Sequence, residues 1–168
     1  MKRTLLLLVS FLLISSVAMA DQIGIFSDAT GHSCNLGNIV GQFSNSAAVI
    51  HQFATGATGS RFKITFPAGT TFFGFNAWQP CEFACDGQTF PYGQCLTGSI
   101  VIGTITAIYG PGVIKIVPPD GSPNVTYYDC LFGENLAGGG TAYVGIPGDP
   151  CTIAVESSTW GQVKSLYR

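Results

Sequence analysis

At 168 residues the chain is long enough for one core and too short for two ordinary domains. Only 10% of it is charged, with 9 acidic residues against 7 basic ones, so its electrostatics give no reason to expect nucleic acid or an anionic membrane as a partner. Its 22 glycines and 9 prolines punctuate runs rich in Thr, Val, Ile, Phe and Tyr, the composition of an all-β domain with many turns.

The first 20 residues have the layout of a secretory leader. Met1-Lys2-Arg3 is a basic start, Leu5 to Ile14 is an apolar run, and Ala18-Met19-Ala20 is a small-x-small cleavage site. The apolar run is shorter than the roughly 20 residues that anchor a helix in a bilayer. Position 21 is Asp, so there is no cysteine at the cut to carry a lipid. The expected mature chain begins at Asp21 and is secreted, periplasmic or extracellular, with no membrane association after cleavage.

Ile23-Gly24-Ile25-Phe26 reads as a first strand, followed by a turn at Asp28-Ala29-Thr30-Gly31. Ser46 to Phe53 is a second strand. Arg61 to Phe66 alternates strictly: Phe62, Ile64 and Phe66 fall on one face, and Arg61, Lys63 and Thr65 on the other. Thr70 to Ala77 is an aromatic strand. From Gln79 to Gly98, three cysteines among Pro80, Gly87, Pro91 and Gly93 read as a long loop that cross-links hold in place. Ser99 to Tyr109 is β-branched and suits a central strand. Val113 to Val117, Asn124 to Cys130, Thr141 to Ile146 and Cys151 to Glu156 follow, with Gly138-Gly139-Gly140 as a flexible turn. Eight or nine short strands at this spacing suit a two-sheet antiparallel β-sandwich over residues 21–156. In the tail, 157–168, Thr159 and Gln162 have the form of a capping box, and Trp160, Val163 and Tyr167 recur at helical spacing. This predicts a short helix over 160–167.

All six cysteines (Cys34, Cys81, Cys85, Cys95, Cys130 and Cys151) lie beyond the leader, where disulfides form and persist. Spacing leaves their pairing open. Parity adds one constraint. If all six pair, at least one of Cys81, Cys85 and Cys95 bonds to Cys34, Cys130 or Cys151. The Cys81-x3-Cys85 pair with Cys95 lacks the second short-spaced pair that a zinc site shows. Asp86-Gly87, Asp120-Gly121 and Gly148-Asp149 are isolated acidic turns, short of a calcium loop.

Asp28, His32 and Ser33 contain the residue types of a hydrolytic triad, but they sit in one turn-like segment and no G-x-S-x-G elbow exists. His51 lies in a strand pattern and reads as a satisfied or exposed strand residue. Glu82, Glu134 and Glu156 show no spacing that pairs two carboxylates across a cleft. The expectation is therefore no catalytic residue, no cofactor and no bound metal. Contact with a protein or glycan partner is expected from Trp78, Tyr92, Tyr127, Tyr128, Trp160 and Tyr167, with Tyr109 a further member of an aromatic platform and Leu166 of the tail contact. Asn124-Val125-Thr126 is a glycosylation sequon.

The opening Ile23-Gly24-Ile25-Phe26, the strand through Gly59-Ser60-Arg61-Phe62-Lys63-Ile64 and the cysteine-bearing loops resemble those of secreted bacterial immunoglobulin-like and cohesin-like sandwiches, over Asp21 to Glu156. The cohesin resemblance implies binding of a partner module. The expected role is that of a non-catalytic binding or surface-structural module. One alternative is a small hydrolase using loop carboxylates, for instance Glu82 and Asp86 with His32. Another is a subunit of an extracellular fibre or shell joined edge to edge, since exposed strand edges pair readily.

Overall fold

The computed structural model describes residues 21–78 and 88–146. The described chain is all-β and contains no helix. Ten strands run in order: β1 (Gln22–Phe26), β2 (Phe43–Arg61), β3 (Lys63–Thr65), β4 (Thr71–Ala77), β5 (Thr89–Ile108), β6 (Gly112–Val117), β7 (Thr126–Asp129), β8 (Glu134–Leu136), β9 (Gly138–Gly139) and β10 (Thr141–Val144). They form a seven-stranded and a three-stranded sheet.

The large sheet is built on β2. Along one side β2 pairs antiparallel with β5, and beyond β5 lies β4. Its other side is shared by β1, paired with residues 48–52, and β7, paired with residues 57–61. The β1–β2 register sets two faces. Ile23 opposes His51 and Ile25 opposes Val49. These four side chains are fully buried, and their face is the core face. Phe26 opposes Ala48 and Gly24 opposes Ile50 on the outer face, where Phe26, Ala48, Ile50 and Val101 form a second small cluster.

The small sheet, β10-β6-β3, contributes Ile114, Ile116, Ala142 and Val144 to the main core beside Ile23, Ile25 and Val49 of the large sheet. The chain crosses between the sheets at Phe62. Arg61 ends β2 and Lys63 begins β3 in the other sheet. Phe62 is fully buried at this corner, stacked on Phe90 at 4.5 Å, and its N–H donates to the Gln88 carbonyl. The alternation of Phe62, Ile64 and Phe66 is thus correct in its faces, but it spans a change of sheet.

Two readings of the sequence are corrected. The loop expected to Gly98 ends earlier, because β5 begins at Thr89 and pairs with residues 57–61 of β2 across several bulges. The Gly138-Gly139-Gly140 turn is in part a strand: β9 pairs parallel with β1. A Cβ on Gly139 would stand 2.5 Å from the Ile116 carbonyl oxygen, and one on Gly140 would stand 2.9 Å from the Gly24 Cα. Glycine is placed here by close approach of three backbones.

Cys95 of β5 is bonded to Cys130, 35 residues away, with the two Cα atoms 5.3 Å apart. Cys34 is also disulfide-bonded. Cys81, Cys85 and Cys151, the strand expected at 151–156, the helix expected at 160–167 and the leader lie outside the described residues. So do Glu82, Asp86, Asp149, Glu156, Trp160, Leu166 and Tyr167.

Candidate functional site

His51 is the one histidine that the fold draws into the core. The β1–β2 register turns it inward, and it has no exposed surface. Asp21 stands just before β1, and its Oδ1 lies 3.0 Å from His51 Nε2. Tyr92, on β5, places its hydroxyl 3.0 Å from His51 Nδ1. Tyr127 of β7 meets the imidazole edge-on at 5.2 Å, and its phenol pairs with Asp21 and Thr55. Three strands and the entry to β1 thus close a buried Asp21–His51–Tyr92 chain.

Burial pushes His51 below the usual histidine range and outweighs the attraction of the Asp21 carboxylate. The neutral ring satisfies every group: Nε2–H donates to Asp21, and Nδ1 accepts the Tyr92 hydroxyl proton. Burial raises Tyr92 far above the phenol range, against the influence of the nearby Ser60 hydroxyl; Asp21 adds to the rise. Ser60 Oγ itself is fully buried and completes no hydrogen bond.

The chain has the residue types of an acid–base device, with both ring nitrogens of His51 bonded inside the core. The cleft above Tyr92, lined by Trp78, Pro91, Leu96, Ile100 and Ile102, has about 10 Å³ of free space, room for one water. Asp28, His32 and Ser33 do not assemble as a triad. Asp28 accepts the Thr30 and Gly31 N–H groups at 2.7 and 3.1 Å and the Thr30 hydroxyl, and the hydroxyl bond does most to hold its carboxyl below the usual range. His32 Nδ1 lies 3.3 Å from Thr30 Oγ1, and Ser33 Oγ accepts the Asn35 N–H. This is a turn held by its own side chains. Asp120 pairs with Lys63 at 2.9 Å on the surface. Among the described residues, no three of His, Cys, Asp and Glu converge as metal ligands would.

Of the aromatic residues expected at a contact surface, Trp78 is 73% exposed and Tyr128 is half-buried, while Tyr92, Tyr109 and Tyr127 are buried. Two apolar surfaces were not apparent from the sequence. One is the turn between β7 and β8. Leu131 is 90% exposed, Phe132 is 79% exposed, and Leu136 follows on β8. The turn is firmly built. Asp129 accepts the Leu131 and Gly133 N–H groups, each at 2.8 Å, and the Asn135 amide at 3.0 Å. Those bonds, Gly133 foremost, hold the Asp129 carboxyl below its usual range. The neighbouring Cys130 is tied to Cys95. Phe132 adopts φ 64°, a left-handed backbone that costs a residue with a Cβ of the order of 1 kcal/mol. Asp129 and Gly133, bracketing the three residues Cys130, Leu131 and Phe132, are the signal that sequence offers for it.

The second surface is the β4 edge. Among the described residues β4 pairs only with β5. A bulge at Phe72–Gly74 turns Phe73 to the outer face, where it meets Phe43 at 5.7 Å, while Phe72 packs on Phe66 at 5.1 Å. Phe43, Phe72 and Phe73 stay about half exposed or more. Asn124 of the sequon is exposed, and Thr126 Oγ1 is held 2.8 Å from Glu134 Oε1.

The chain matches no protein-family model, no curated protein and no solved structure.

Proposed function

We propose that the chain is an exported, non-catalytic β-sandwich of immunoglobulin-like or cohesin-like type that binds a protein or polysaccharide partner at a surface. The observation that carries this reading is the 131–132 turn. It holds Leu131 and Phe132 out in water with three hydrogen bonds to one carboxylate and a disulfide beside them. Large exposed apolar groups in a fixed shape mark contact surfaces in soluble proteins. The buried Asp21–His51–Tyr92 chain supports the non-catalytic part, because each of its ring nitrogens is committed within the core.

The test is retention of the exported protein on intact producing cells, on their isolated cell wall, and on cellulose and chitin. A variant combining Leu131→Ser with Phe132→Asn provides the contrast; Asn tolerates a left-handed backbone. The expected result is retention of the wild type on one of these surfaces and a loss of about tenfold or more in the variant, with the fold unchanged. Equal retention of the two proteins, or none of the wild type on any surface, overturns the reading. The apolar β4 edge, unpaired on its outer side among the described residues, favours a second reading, a subunit of a fibre or shell joined edge to edge. For the hydrolase alternative, His32 is engaged by Thr30 in an exposed turn, and nothing among the described residues favours it.

A further inference from the structure

We propose that Cys34 is bonded to Cys151, a covalent link that secures the cover over the outer edge of the small sheet. Cys34 is disulfide-bonded and buried in the main core, and Cys95 and Cys130 are committed to each other. The partner of Cys34 is therefore Cys81, Cys85 or Cys151. The places from which the chain sets out toward each of these three separate them.

Residues 34–37 run parallel to β10. The Tyr143 N–H donates to the Cys34 carbonyl at 2.9 Å, the Leu36 N–H to the Tyr143 carbonyl at 2.8 Å, and the Gly145 N–H to the Gly37 carbonyl at 2.9 Å. The chain thus leaves β10 beside Gly37, three residues from Cys34, or about 10 Å of extended backbone. Cys151 comes six residues after Gly145, a reach of about 20 Å. Between them, Ile146-Pro147-Gly148-Asp149 has proline and glycine in the two central places of a type II turn. A reversal there sends Cys151 back along β10 toward Cys34, to the Cα separation of under about 7 Å that a disulfide needs.

The other two cysteines set out from the far side of the large sheet. Ala77, Gly103, Val49 and Ile25 oppose one another in a row across β4, β5, β2 and β1. Three strand spacings make this row about 14 Å long. Cys34 lies beyond β1, after the turn that the Ser27 N–H and the Ser33 carbonyl close. Cys81 is four residues past Ala77, so its path to Cys34 crosses the core face of β5 and β2, which Val49, Ile102 and Ile105 fill. Cys85 is three residues from Gln88, whose carbonyl accepts from Phe62 at the end of β2 remote from the Phe26–Ala48 pair.

β10 is the outer strand of the small sheet, and backbone hydrogen bonds alone hold residues 34–37 over it. A bond from Cys34 to the chain that leaves β10 fixes this cover and keeps the edge from pairing with another chain. In forming it, each thiol gives up its hydrogen. The two electrons and two protons pass to a disulfide oxidant, whose own S–S bond is reduced to two thiols.

The experiment is disulfide mapping of the exported full-length protein by pepsin digestion in acid, where thiolate exchange is suppressed, with fragment masses read before and after reduction. The expected fragment joins the peptide of Cys34 to that of Cys151 and separates on reduction. A fragment joining Cys34 to Cys81 or Cys85, or an unlinked Cys34, overturns the proposal. Cys151→Ser gives a second reading. Unfolded in urea with N-ethylmaleimide, it is expected to be labelled at Cys34 alone, with the other four cysteines protected until reduction. Labelling at Cys81 or Cys85 in its place overturns the proposal as well. Should C151S fail to fold, the wild-type map decides by itself.

Discussion

Burial of ionisable rings sets a pH window for this fold at both ends. His51 is held below 6.5 in the folded chain, so its neutral form is the native one. The stability that this contributes is complete above pH 6.5 and is lost as the pH falls from there through the folded value. At the other end burial lifts Tyr109 to about 12, and it is also the leading cause of the rise in Tyr92 and Tyr127. Their neutral forms are native as well. That contribution is complete below pH 10 and is lost as the pH rises from 10 towards 12. Absorbance titration near 295 nm, with far-ultraviolet dichroism recorded alongside, tests the alkaline end. Three of the 6 tyrosines are expected to ionise late, together with loss of the β signal, whereas in urea all 6 ionise near 10. A single step near pH 10 that leaves the fold intact would show these three rings to be open to solvent.

Among the elements, β9 has the most unusual origin. Its sequence has no β propensity, and it is a strand only because β1 and the β6 carbonyls come so near. The Gly138 N–H donates to the Asp21 carbonyl at 2.8 Å, the Gly140 N–H to Ile23 at 2.8 Å, and the Gly140 carbonyl accepts from Ile116 at 2.9 Å. Gly139→Ala sets a methyl against a backbone oxygen that cannot rotate away. The expected cost is about 2 kcal/mol by urea unfolding, at the scale of an overpacked core. The half-buried Gly74, where an added Cβ meets nothing, is the control and is expected to tolerate alanine with under about 1 kcal/mol of change. Equal costs at the two sites would remove the close-approach account.

Comparing sequence and structure shows which elements betray themselves. β1, β4, β6 and β10 carry β-branched or aromatic runs of ordinary length and are legible as strands. The first half of β5 is not, because Pro91, Gly93, Cys95 and Gly98 look like loop chemistry. What makes it a strand is pairing with β2 and the bond from Cys95 to Cys130, and both partners are remote in sequence. The buried chain is illegible for the same reason. Asp21 is 30 residues and Tyr92 41 residues from His51, and no local pattern links them. The Cys95–Cys130 closure, at 35 residues, is worth about 3–4 kcal/mol on a chain-entropy account. That is comparable to what a single core side chain provides, so this bond reinforces the two-sheet core without replacing it.

At the scale of the molecule, the large sheet ends at β4 in an edge that carries, among the described residues, little of the usual protection. Thr71 to Ala77 contains no charge and no proline, and Phe72 and Phe73 stand in water beside Phe43. Native edges are commonly blunted by lysine, proline or an inward charge; here the bulge at Phe72–Gly74 is the sole such device among the described residues. A chain with 10% charged residues has little electrostatic repulsion to keep copies apart. Among the described residues nothing pairs with the outer side of this edge, and Phe73→Lys tests whether it serves assembly. A lysine on the outer face opposes pairing of edges without touching the core. Sedimentation velocity from low micromolar to near millimolar concentration is expected to show the wild type growing into larger species and F73K remaining a monomer with the same β dichroism. If the wild type is monomeric throughout, the fibre reading fails, and the 131–132 turn is left as the contact surface that the fold presents.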